Sequence, residues 1–122
     1  MDVFLVEDAP LVRDRLVSLL HEIPKVNLVG EASSFGKAQE LVLSLTPKVM
    51  ILDISPHGVN AFRFLEKIKE KLPNLTIIVL MNQPFPTYRK RYKELGVEFF
   101  FEKSTSFNAL AEVLQWMAQR AD

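Results

Sequence analysis

The chain has 122 residues, 48% of them hydrophobic and 25% charged, which fits one globular domain around a single core. Fifteen basic and fifteen acidic side chains leave a formal net charge of +0, so no overall field draws the protein to nucleic acid or anionic lipid, and any partner has to be recognised locally. The absence of cysteine excludes disulfides, thiolate metal sites and a cysteine nucleophile together, and it agrees with a reducing compartment.

The opening "MDVFLVEDAP" carries acids where a secretory signal needs a basic region and a longer apolar stretch, and no apolar run in the chain is long enough to span a membrane. A cytoplasmic protein is expected. From there, short apolar runs alternate with helical periodicity. "VFLV" (3–6) leads to a helical stretch with Leu11, Val12, Leu16, Leu19 and Leu20 on one face, and "VNLVG" (26–30) leads to Ala38, Leu41, Val42 and Leu45. "VMIL" (49–52) precedes Phe62, Leu65 and Ile68; "LTIIVL" (75–80) precedes Tyr88, Tyr92 and Leu95; "FFF" (99–101) precedes Leu110, Val113, Leu114 and Met117. Strands this uniformly apolar belong in a parallel sheet covered by helices on both faces, so the expected fold class is α/β, doubly wound, with five strand-helix units in residues 1–122. Pro24, Pro47 and Pro73 punctuate the entries to the second, third and fourth strands, and Gly96 separates the fourth helix from the fifth strand.

Ligands of such sheets bind at the carboxyl ends of the strands. The residues expected there are Glu7 and Asp8 after the first strand, Asp53 ending the third, Met81 and Asn82 after the fourth, and Lys103 after the fifth. Acids converging on one edge hold a proton or bind a cation, and a hard divalent ion such as Mg²⁺ suits an open acidic cluster that keeps some waters. With Lys103 as a mobile positive charge, the set describes a phosphoryl acceptor.

On "VEDAPLVR" (6–13), "PKVMILDIS" (47–55), "IIVLMN" (77–82) and "FFFEKST" (99–105), in this order and spacing, the chain resembles the receiver domains of bacterial two-component response regulators, a CheY-like family. The resemblance covers essentially the whole chain and implies a flavodoxin-like, five-stranded (βα)5 receiver fold. It implies that Asp53 is the phosphoacceptor, that Glu7 and Asp8 are the acid pair for Mg²⁺, that the backbone carbonyl of Ser55 is a further metal ligand, and that Lys103 is the family's lysine. A sensor histidine kinase or phosphotransfer protein would supply the phosphoryl group. The fourth helix, fifth strand and fifth helix would face an output partner or a second copy. No direct nucleic-acid binding and no membrane partner are expected. The chain would not be an enzyme beyond assisting its own phosphorylation and dephosphorylation.

Some residues depart from the family's pattern. Met81 stands where Ser or Thr is usual, and a thioether cannot donate the hydrogen bond that signals the phosphoryl group. "PHGVNA" (56–61) replaces the usual loop after the phosphoacceptor. Phe100 occupies the aromatic switch position, and Ser104 follows Lys103 where many relatives carry proline. The chain ends at "MAQRAD" shortly after the fifth helical stretch, so no output domain is expected within it.

Simpler readings accompany these. Asp8 is a good N-cap for "APLVRDRL", Glu7 could be solvated, Lys103 could be an ion-pair partner, and Met81 could fill the core. Phe99 and Phe101 would pack beneath helices. His21 and His57 are too few and too far apart for a metal site. Arg89, Lys90, Arg91 and Lys93 would form a solvated basic face, and Trp116 would be partly buried or anchor a partner. The rival function is a degenerate receiver acting as a phosphorylation-independent interaction module. An aspartyl-phosphate hydrolase would want a second acid two residues after the nucleophile, where this chain has Ser55. A nucleotide binder would want a GxGxxG or Walker sequence, and neither is present.

Overall fold

A computed structural model describes residues 1–53, 59–81, 86–102 and 107–120 of the chain. Among them, strands and helices alternate: β1 (Asp2–Glu7), α1 (Pro10–His21), β2 (Asn27–Ala32), α2 (Phe35–Leu45), β3 (Val49–Asp53), α3 (Val59–Lys71), β4 (Thr76–Met81), α4 (Pro86–Glu94), β5 (Phe99–Glu102) and α5 (Phe107–Arg120). The strands form one parallel sheet in the order β2-β1-β3-β4-β5. This is the flavodoxin-like arrangement, whose chain reversal lies between β1 and β3.

Alternation along the strands divides the core in two. Phe4, Val6, Met50, Leu52, Ile77 and Val79 pack with Ala38 and Val42 of α2, Leu65 and Ile68 of α3, and Tyr92 of α4. Val3, Leu5, Val49, Ile51, Ile78 and Leu80 pack with Leu16 and Leu20 of α1 and with Leu110 and Leu114 of α5. Every residue of β3 is buried, as the run "VMILD" requires of a central strand with no solvent face. Phe99 and Phe101 join the α1/α5 side while Phe100 joins the other, in keeping with their expected alternation.

Two expectations about α1 are corrected. Leu11 does not share the apolar face; it is 80% exposed. It lies nine residues before the buried Leu20, about two and a half turns, which places it on the opposite side of the helix. Nor is Asp8 the N-cap: that position is Ala9, without a side-chain cap, because Pro10 takes the first helical turn, where its missing N–H and fixed φ suit it. Strand limits also move slightly. β2 starts one residue later and ends two residues later than expected, and β1, β3 and β4 extend to include Glu7, Asp53 and Met81 as their last residues.

Candidate functional site

Glu7 and Asp53 are register partners at the carboxyl ends of β1 and β3, the two strands that flank the chain reversal. Both are buried, at 0% and 1% exposure, the buried charged residues among those described. Their position follows from the strands: with Val3 and Leu5 facing α1 and α5, Glu7 continues that side, and Val49 and Ile51 do the same for Asp53. The expectation that Glu7 is solvated is therefore excluded. Its Oε1 accepts a hydrogen bond from the Ala9 backbone N–H at 3.0 Å, which fixes the carboxylate at the turn into α1. Asp8 follows Glu7 directly and is half-buried.

Burying two carboxylates in register is costly unless positive charge or hydrogen-bond donors stand beside them. The chemistry of this oxygen donor set fits Mg²⁺, which binds through one or two carboxylates and keeps several waters rather than filling an all-protein cage. As they stand, no three or more His, Cys, Asp or Glu side chains among the described residues, Glu7, Asp8 and Asp53 included, are grouped closely enough to hold a metal ion. Ser55, His57, Asn82 and Lys103 lie outside the described residues.

Met81 closes β4 opposite Glu102 and is 5% exposed. It packs in the core on the α2, α3 and α4 side, so its core-filling role is real. That core continues into an aromatic group that the sequence reading did not single out. Phe62 meets Tyr88 edge-on at 5.8 Å and Tyr92 at 5.0 Å, and Tyr92 in turn lies 5.6 Å from the Phe100 ring. Burial, with a smaller contribution from neighbouring Tyr88, pushes the Tyr92 phenol well above its ordinary range, so it stays neutral. The spacing of aromatics at 62, 88, 92 and 100 was visible in the sequence, but their convergence from three elements was not. The Arg89 guanidinium sits 5.0 Å over the outer face of this group, at Phe100. Of the basic residues of α4, Arg89, Lys90 and Lys93 are exposed and Arg91 approaches Glu66 at 3.7 Å, as a solvated face would have it.

The family model described as the response regulator receiver domain matches residues 3–115. The chain belongs to this family. It is 34% identical over 77 residues to the nitrate/nitrite response regulator protein NarL of Escherichia coli (strain K12), a match covering 63% of the chain and 36% of that protein. It is 35% identical over 77 residues to a protein-glutamate methylesterase/protein-glutamine glutaminase of Syntrophus aciditrophicus, covering 63% of the chain and 22% of that protein. This receiver thus spans about a fifth to about a third of these two relatives. Among solved structures, the isolated receiver domain of RcsB from Salmonella enterica serovar Typhimurium, determined with the phosphomimetic BeF3⁻, superposes with a TM-score of 0.83 at 27% identity, covering 93% of this chain and 85% of that one. The receiver fold and membership of the two-component response regulators are therefore established. No helix among the described residues is long and apolar enough to cross a membrane.

Proposed function

We propose that this receiver domain accepts a phosphoryl group on Asp53 from the phosphohistidine of a sensor histidine kinase or phosphotransfer protein, and that the modification changes its protein contacts. The observation that carries the reading is the register pairing of buried Asp53 with buried Glu7 at the chain reversal of a receiver sheet. A carboxylate oxygen of Asp53 forms the new P–O bond as the donor's P–N bond breaks, and the released imidazole nitrogen takes up a proton. Glu7, held by the Ala9 N–H, keeps negative charge at the edge, and Asp8 adds a third oxygen donor beside it. Glu7, Asp8, Asp53 and the Ser55 carbonyl would hold Mg²⁺, which supplies positive charge for the phosphoryl oxygens, and Lys103 would add to it. The fourth helix, fifth strand and fifth helix would carry the altered contacts to an output partner or second copy.

Met81 favours a second reading, a receiver that works as an interaction module without phosphorylation, because its side chain is packed in the core and has no donor for a phosphoryl group. Intact-mass spectrometry after incubation with acetyl phosphate and Mg²⁺ separates the two. The expected result is one added phosphoryl group, lost with EDTA and lost in Asp53→Asn. A wild-type protein left unmodified under conditions that label an ordinary receiver would overturn the first reading in favour of the second.

A further inference from the structure

At the end of the sheet opposite Asp53, the amino ends of β1, β3 and β4 and the last turns of α5 border a groove of about 1000 Å³. Its apolar surface includes Leu72 and Trp116, and Trp116 is 53% exposed although it is the only tryptophan of the chain. Among the described residues its lining carries Lys48, Lys71 and Arg120 against one acid, Asp2. In a chain whose charges cancel overall, three cationic side chains against one acidic one among the described residues around an exposed tryptophan is a local imbalance.

We infer that this groove binds an acidic peptide segment carrying an apolar anchor residue. The charges give complementarity to acidic side chains and the tryptophan gives the anchor its surface, since aromatic residues dominate the centres of protein interfaces and charges at the rim steer and select. The Arg120 guanidinium lies 4.4 Å over the Trp116 ring. A guanidinium keeps its fork of N–H donors when it lies over an aromatic ring, and that fork can meet a carboxylate in bidentate fashion. A bound acid could therefore pair with Arg120 while the cation stays over the Trp116 ring. Asp2 interrupts the positive rim, which suits a short peptide better than the continuous phosphate backbone of a nucleic acid. The groove shares no residue with the Asp53 edge, so its occupancy can be tested on the unphosphorylated chain.

The single tryptophan makes the test direct. Titrating the chain with the blocked hexapeptide Glu-Asp-Leu-Phe-Glu-Asp should change Trp116 fluorescence saturably, and amide NMR should place the perturbation at residues 46–48, 71–75 and 116–120. The same peptide with Lys and Arg in place of its acids should leave both signals unchanged. Lys48→Glu combined with Lys71→Glu should weaken binding about tenfold, and Lys48→Gln with Lys71→Gln should do so less, the range two exposed charge pairs supply. All titrations use the unphosphorylated chain without acetyl phosphate or Mg²⁺, which keeps this outcome separate from the phosphoacceptor reading. No fluorescence change at millimolar peptide, equal binding of the basic peptide, or indifference to the charge reversals would overturn the inference. So would sedimentation showing peptide-free self-association that Trp116→Ala abolishes, because the occupant would then be a second copy.

Discussion

Met81 divides what the edge does from what the rest of the domain learns of it. A hydrogen bond to a charged group is worth about 1.5–3 kcal/mol, so a thioether in place of a hydroxyl removes about one to two orders of magnitude from any preference for the activated arrangement. The chemistry at Asp53 does not need that hydroxyl if metal, lysine and geometry supply most of the stabilisation. A bound group shifts a two-state equilibrium only through contacts that differ between the states. Here the end of β4 is tied instead into the core that holds Tyr92 and Phe100, with Arg89 over the Phe100 ring. Beryllofluoride-treated wild type is therefore expected to change little in hydrogen exchange around residues 81–103, while Met81→Thr changes clearly under the same treatment. Equal, large responses in both would show that the domain switches without the hydroxyl.

The elements owe their ends to a few local devices, and these differ in how well they suit the sequence. Gly96 takes φ +91 after α4, which glycine adopts without penalty, and the turn is secured where Lys69 donates to the Leu75 carbonyl at 2.6 Å and to Glu98 at 2.8 Å, while the Ile77 N–H donates to the other Glu98 oxygen at 2.7 Å. At the end of α2, by contrast, Thr46 is left-handed at φ 46 and ψ 58, with its N–H donating to the Val42 carbonyl at 2.9 Å. A β-branched residue is strained there, by about 1–2 kcal/mol. Thr46→Gly is expected to raise stability by about 0.5–1 kcal/mol, less than the strain because glycine also gains freedom in the unfolded chain, as read by urea denaturation at unchanged m-value. A loss of stability would mean that the Thr46 side chain contributes more than its backbone costs. Such devices are the least legible part of the sequence. The apolar period correctly assigns α1, but it also draws Leu11 onto the buried face, because a leucine directly beside Val12 widens the apolar stripe without showing which side faces the sheet. Likewise Asp8 has the chemistry of an N-cap, and only the neighbouring proline shifts the cap to Ala9.

For the molecule as a whole, the order of apolar runs was enough to give the sheet, because strands buried on both faces tolerate almost nothing but Val, Ile, Leu, Met and Phe. That constraint also makes Asp53 conspicuous: a carboxylate ending "VMIL" has no structural reason to be there. The pairing of Asp53 with Glu7 was not visible, since register between strands 46 residues apart is set by packing across the whole sheet rather than by either segment. The Phe62, Tyr88, Tyr92 and Phe100 group escaped notice for the same reason. The fold thus presents two ends of different character, an acidic edge at the carboxyl ends of the strands and a basic, tryptophan-bearing groove at their amino ends.

The central claim is that the carboxylate at the tip of β3 is the atom that takes the phosphoryl group. Borohydride reduces an acyl phosphate to an alcohol and leaves free carboxylates alone, so it converts a phosphorylated aspartate into homoserine and marks the site permanently. Treating the chain with acetyl phosphate and Mg²⁺, then with borohydride, followed by peptide mass spectrometry, should place homoserine at position 53 and at no other acid. Homoserine at position 8, or a phosphoryl group that survives borohydride on serine or threonine, would contradict the account.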